Sequence, residues 1–78
     1  MTVTCEIIET NIQNIAVYGL MFIGAGGEAV CRVEDITVDR EKLAVLRANI
    51  NETGIDALHI MNVLEDALVM WEAEDDKN

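Results

Sequence analysis

The stretch from Asn14 to Ile23 constrains the fold more than any other part of the chain. Read as a strand, it points Ile15, Val17, Met21 and Ile23 to one side. Ala16, Tyr18, Leu20 and Phe22 point to the other. A strand alternates its side chains between two faces, so a strand that is apolar on both needs cover on both. The remaining residues must supply that cover or share it with another chain.

The 78 residues make one small domain. A chain of this size buries only ~60% of the surface that its unfolded form exposes. Its 51% hydrophobic content is ample for a core and rules out disorder over most of the length. Only 4% of residues are aromatic, so the core is aliphatic. That much apolar material in so short a chain points to self-association.

Thr2 to Thr10 alternates loosely and is rich in β-branched residues, which predicts a first strand. Asn11 to Asn14 is read as a turn, followed by the apolar central strand. Gly24-Ala25-Gly26-Gly27 breaks that strand, and Gly26 and Gly27 suit a hairpin turn. Ala29 to Ile36 reads as the return strand. It sends Ala29, Cys31 and Val33 one way and Val30, Arg32, Glu34 and Ile36 the other.

The period changes at Thr37. Leu43, Leu46 and Ile50 recur at helical spacing and predict a helix over Val38 to Glu52. Thr37 or Asp39 caps its start, and Gly54 suits the residue that ends it. Asp56 then caps a second helix from Ala57 to about Trp71. Its stripe is Ile60, Val63, Leu64, Ala67, Leu68 and Trp71. The connection is short, so the helices are expected to form an antiparallel hairpin. Residues 72–78 are acidic and are expected to be a disordered tail on a 1–71 domain.

The expected fold is therefore α+β: a three-stranded antiparallel β-meander followed by a C-terminal α-helical hairpin on one face (β-β-β-α-α). Two helices cover one face of three strands and leave the other bare. Tyr18, Leu20 and Phe22, or the opposite set, are expected at the interface of a homodimer.

Five basic and fifteen acidic residues give a formal charge of −10. That argues against nucleic acid, whose phosphates demand Lys and Arg, and against an anionic membrane surface. No run approaches the ~18–20 apolar residues of a membrane span. The start of the chain lacks the basic residues and cleavage site of a signal peptide. The expected location is cytoplasmic. Cys5 and Cys31 lie far apart, without Cys-x-x-Cys spacing, and are read as reduced thiols.

Gly24-Ala25-Gly26-Gly27-Glu28-Ala29 matches the Gly-x-Gly-x-x-Ala of a dinucleotide-binding turn. That motif needs a helix next, and Glu28 to Ile36 has strand character instead. His59, the one histidine, sits three residues after Asp56 and seven before Asp66. A metal needs further ligands, and the sequence holds no serine nucleophile. Glu34-Asp35 and Glu65-Asp66 are adjacent pairs whose carboxylates diverge. We expect no catalytic residue, no cofactor and no metal.

Tyr18-Gly19, Glu34-Asp35-Ile36-Thr37 with Asp39, and His59-Ile60 followed by Val63, Glu65-Asp66 and Leu68 form a recurring set of short motifs. Together they resemble a family of small uncharacterised proteins of Gram-positive, largely anaerobic bacteria that carries a domain-of-unknown-function label. The resemblance runs from about Tyr18 to Leu68. It implies a hydroxyl residue at Thr37, which fits a cap. It also implies a bulky aromatic where this chain has Ala67, and Trp71 one turn later offers compensation. The resemblance implies a cytosolic bacterial protein and supplies no activity, so no catalytic role passes to Asp35, His59 or Asp66.

The leading functional expectation is a non-enzymatic interaction or regulatory module acting as a homodimer. The alternatives are an acidic inhibitor that mimics nucleic acid for a basic partner, and a ligand binder or enzyme that uses the Gly24–Gly27 turn or His59.

Overall fold

The computed structural model describes residues 2–75. Three long strands, β1 (Thr2–Ile12), β2 (Ile15–Gly24) and β3 (Ala29–Thr37), form an antiparallel meander. A helix, α1 (Arg40–Thr53), follows. The chain then adds a two-residue strand, β4 (Ile55–Asp56), and a single 3-10 turn (Ala57–His59). It ends in a second helix, α2 (Ile60–Asp75). The sheet order is β3-β2-β1-β4. The α+β class and the meander match the sequence reading, whereas the fourth strand does not. Ile55 pairs with Val3 and Asp56 with Thr2. Two residues carry no periodicity, so only their position beside β1 makes them a strand.

The first hairpin is tighter than the four-residue turn expected. Ile12 pairs with Ile15, and Gln13 and Asn14 between them both have positive φ, at 51° and 68°. A two-residue loop of that kind follows the right-handed twist of its flanking strands. At the second hairpin, Gly27 has φ 86° and its N–H donates to Gly24 O at 3.0 Å. Glycine tolerates that conformation without a Cβ penalty.

The core lies on one face of the sheet. Val3, Cys5, Leu20 and Phe22 meet Leu43 and Ile50 of α1 and Ile60 and Leu64 of α2. Tyr18 packs against this cluster, and Leu20 and Phe22 are 0% exposed. The expected interface set of Tyr18, Leu20 and Phe22 is therefore corrected. The helices take that face, and Ile15, Val17, Met21 and Ile23 face outward.

Caps define the helix ends. Thr37 Oγ1 accepts the Asp39 N–H at 3.0 Å, and Asp39 Oδ1 accepts the N–H groups of Glu41 and Lys42. Gly54, at φ 68°, donates its N–H to Ile50 O at 2.7 Å. Asp56 Oδ1 accepts the Leu58 N–H at 3.0 Å and starts the 3-10 turn. The second helix thus begins three residues later than expected. It also continues through Glu72–Asp75, which had been assigned to the tail. Glu and Ala sustain a helix well enough to outweigh the adverse charge at its end. Residues 76–78 of the expected tail lie outside the described residues.

Helix α1 is keyed to β1 by polar contacts with one peptide unit pair. Asn51 Oδ1 accepts the Cys5 N–H at 2.8 Å, and its Nδ2 donates to Cys5 O at 3.1 Å. Arg47 Nε donates to the same carbonyl at 3.2 Å. The Asn51 amide thus substitutes for a neighbouring strand beyond the end of β4, where an unpaired buried donor is costly.

The β2–β3 register breaks at Gly19. Leu20 pairs with Val33 and Tyr18 with Thr37, so three residues of β3 oppose one of β2. Asp35 takes φ 57° in this bulge. The extra residues reverse the expected alternation, and Ile36 packs on the core instead of joining Arg32 and Glu34 outside. A Cβ on Gly19 would collide with the Val33 carbonyl and lie 2.9 Å from Glu34 Cα. Both are backbone atoms of the paired strand and yield little. Gly19→Ala is expected to cost about 1–3 kcal/mol. Urea unfolding should show a lower midpoint with an unchanged slope.

Candidate functional site

The sequence candidates do not converge. Gly24 to Gly27 closes a hairpin into β3, with no helix start beside it. His59 ends the 3-10 turn with an exposed side chain. The Leu58 amide donor holds the Asp56 carboxyl below its usual range, and His59 adds to the effect. Asp35 occupies the bulge of β3 and Asp66 lies on α2. Among the described residues no cluster of three His, Cys, Asp or Glu side chains is arranged to hold a metal. No described helix is long and apolar enough to cross a membrane. Among the described residues the acidic side chains are spread over β1, β3, β4, both helices and the turns, with none on β2.

Cys5 and Cys31 both pair with Phe22, on its two sides. They are two strand spacings apart, about 10 Å, beyond the ~7 Å reach of a disulfide. Both are free thiols, Cys5 buried and Cys31 half-buried.

Among the described residues, two surfaces carry several uncovered apolar groups together. The first is the outward sheet face. Register places Thr4, Glu6, Ile8, Thr10 and Ile12 of β1 beside Ile23, Met21, Gly19, Val17 and Ile15 of β2. Ile12 and Ile15 are 42% and 56% exposed. Ile8, Val17, Met21 and Ile23 are half-buried, yet none packs on the core. One row crosses three strands. Glu6 pairs with Met21, and Met21 pairs with Arg32. Arg32 also holds Glu34 through an exposed ion pair at 3.0 Å. The row carries Glu6 at the β1 end, an apolar Met21 in the middle, and Arg32 with its partner Glu34 at the β3 end.

The second surface is a groove of about 400 Å³ between α1 and α2. Leu46 of α1 and Val63, Ala67 and Trp71 of α2 form its floor, with Val45 and Met70 on its walls. The sequence reading missed it. The available signal was the apolar breadth of α2, where Met61, Val69 and Met70 lie outside the expected stripe and are exposed, and Leu68 of that stripe is exposed as well.

No protein-family model, no curated protein and no solved structure matches this chain. The functional reading therefore rests on the two surfaces.

Burial pushes the Cys5 thiol from 9.0 up to about 11, against the smaller opposing effect of the Arg47 guanidinium. The thiolate is the reactive form, so Cys5 is protected. A disulfide reagent at pH 8 should modify Cys31 readily and Cys5 at least about tenfold more slowly under native conditions. Between pH 9 and 11 the folded thiol keeps a proton that the unfolded one releases, so stability falls as pH rises through this window. Comparing alkaline unfolding of the parent and Cys5→Val checks this, since the variant loses that component of the slope.

Proposed function

We propose that the protein is a non-enzymatic interaction module that self-associates through its outward sheet face. The observation that carries this reading is the row Glu6–Met21–Arg32, which is self-complementary. Two copies stacked about a two-fold axis along β2 place β3 of each over β1 of the other. Arg32 then faces Glu6 of the second copy, twice, across a layer of Ile, Val and Met. The match of Arg32 with Glu6 is what supports this axis.

The area is sufficient. Three strands of about ten residues make a face of roughly 14 by 33 Å. Two such faces bury on the order of 1,000 Å² in total, the lower end for a specific interface. Membership of the family that the chain resembles belongs to the same proposal and adds no activity to it.

A charge-swap cycle tests the reading. The parent should sediment as a dimer at about 20 μM, the range expected of a small interface. Arg32→Glu and Glu6→Arg should each weaken the dimer about tenfold, and the double variant should recover most of the loss. Glu6→Arg is the sharper arm, because it lowers the net negative charge and would by bulk repulsion alone favour association. A parent that stays monomeric at about 100 μM would falsify the proposal.

A further inference from the structure

We infer that the groove between α1 and α2 is a docking site for a basic amphipathic helix of another protein. The walls of the groove are helices, and the lining residues recur with helical spacing on both. Lys42, Val45, Leu46 and Asn49 follow one side of α1. On α2 the lining runs from Val63 to Glu74, about three turns or ~16 Å. A third helix fits such a trough by setting its side-chain ridge between the two walls. Val45 and Met70 stand on opposite walls at 63% and 59% exposure, so an occupant would cover apolar surface that the monomer leaves in water. Met70 adds an adaptable side chain at the point of contact.

Charge chooses the occupant. Asp66 and Glu74 stand on the α2 wall against the one cation of the lining, Lys42 on the α1 wall, and α2 itself has no basic residue. The chain as a whole is at −10. A helix with an apolar ridge flanked by Lys and Arg complements this rim. A second copy does not, because its α2 is acidic and its α1 is already packed on the sheet. The groove lies on the helical side of the sheet, so a dimer through the outward face leaves it open. The two proposals therefore succeed or fail separately.

Trp71, the single tryptophan, lines the groove and serves as the reporter. The probe is a synthetic 16-residue peptide with Leu along one helical face and Lys elsewhere, lacking Trp. Two controls accompany it: the same composition in an order that destroys the apolar face, and the same pattern with Glu for Lys. Trp71 emission should shift with saturable binding at about 10 μM, weakening as salt is raised. The double variant Val45→Asn and Met70→Gln keeps the net charge and alters only exposed positions. It should bind about tenfold more weakly while unfolding at the parent's midpoint. The inference is overturned if Trp71 does not respond by about 100 μM, if either control peptide binds as tightly, or if the double variant binds like the parent.

Discussion

The burial of Leu20 and Phe22 is the interaction on which the rest of this structure depends. Each side chain leaves water completely, which contributes roughly 1.5–3 kcal/mol apiece by transfer. Achieving it requires Leu43 and Ile50 from α1, Ile60 and Leu64 from α2, and Val3 and Cys5 from the neighbouring strand. Strands β1 and β2 and helices α1 and α2 all contribute buried side chains to that cluster. Because β2 is apolar on both sides, the choice that buries Leu20 and Phe22 also leaves Met21 and its neighbours facing out.

Direction and registry come from polar groups around that core. Asn51 grips both the N–H and the C=O of Cys5, with Arg47 as a second donor to the carbonyl. These contacts have a defined geometry that apolar packing lacks, and they set α1 along β1. Gly19 performs the corresponding task between β2 and β3, where the absence of a Cβ admits the bulge. The bulge turns Ile36 onto the core and keeps Arg32 and Glu34 outside.

Both functional surfaces follow from a shortage of covering elements. Two helices and one sheet bury one interior, leaving the far sheet face and the trough between the helices. The surfaces differ in electrostatics. The sheet face carries Glu6 on β1 and the Arg32–Glu34 pair on β3 around an apolar middle. The trough carries carboxylates on its α2 wall and Lys42 on its α1 wall.

The sequence by itself determined the order of the meander and the two helices. It also determined the caps at Thr37, Asp39, Gly54 and Asp56, because period and cap chemistry act within a few residues. It determined that one face of β2 would lack cover. Only the tertiary structure decided which face that was. The two sets differ little in hydrophobicity, and the answer lies in the parity of Cys5 opposite Phe22 and of Asn51 against Cys5. Tertiary contact likewise decided β4, the bulge at Gly19 and the groove between α1 and α2. Each of these joins residues far apart in the chain, and no local period records such a meeting.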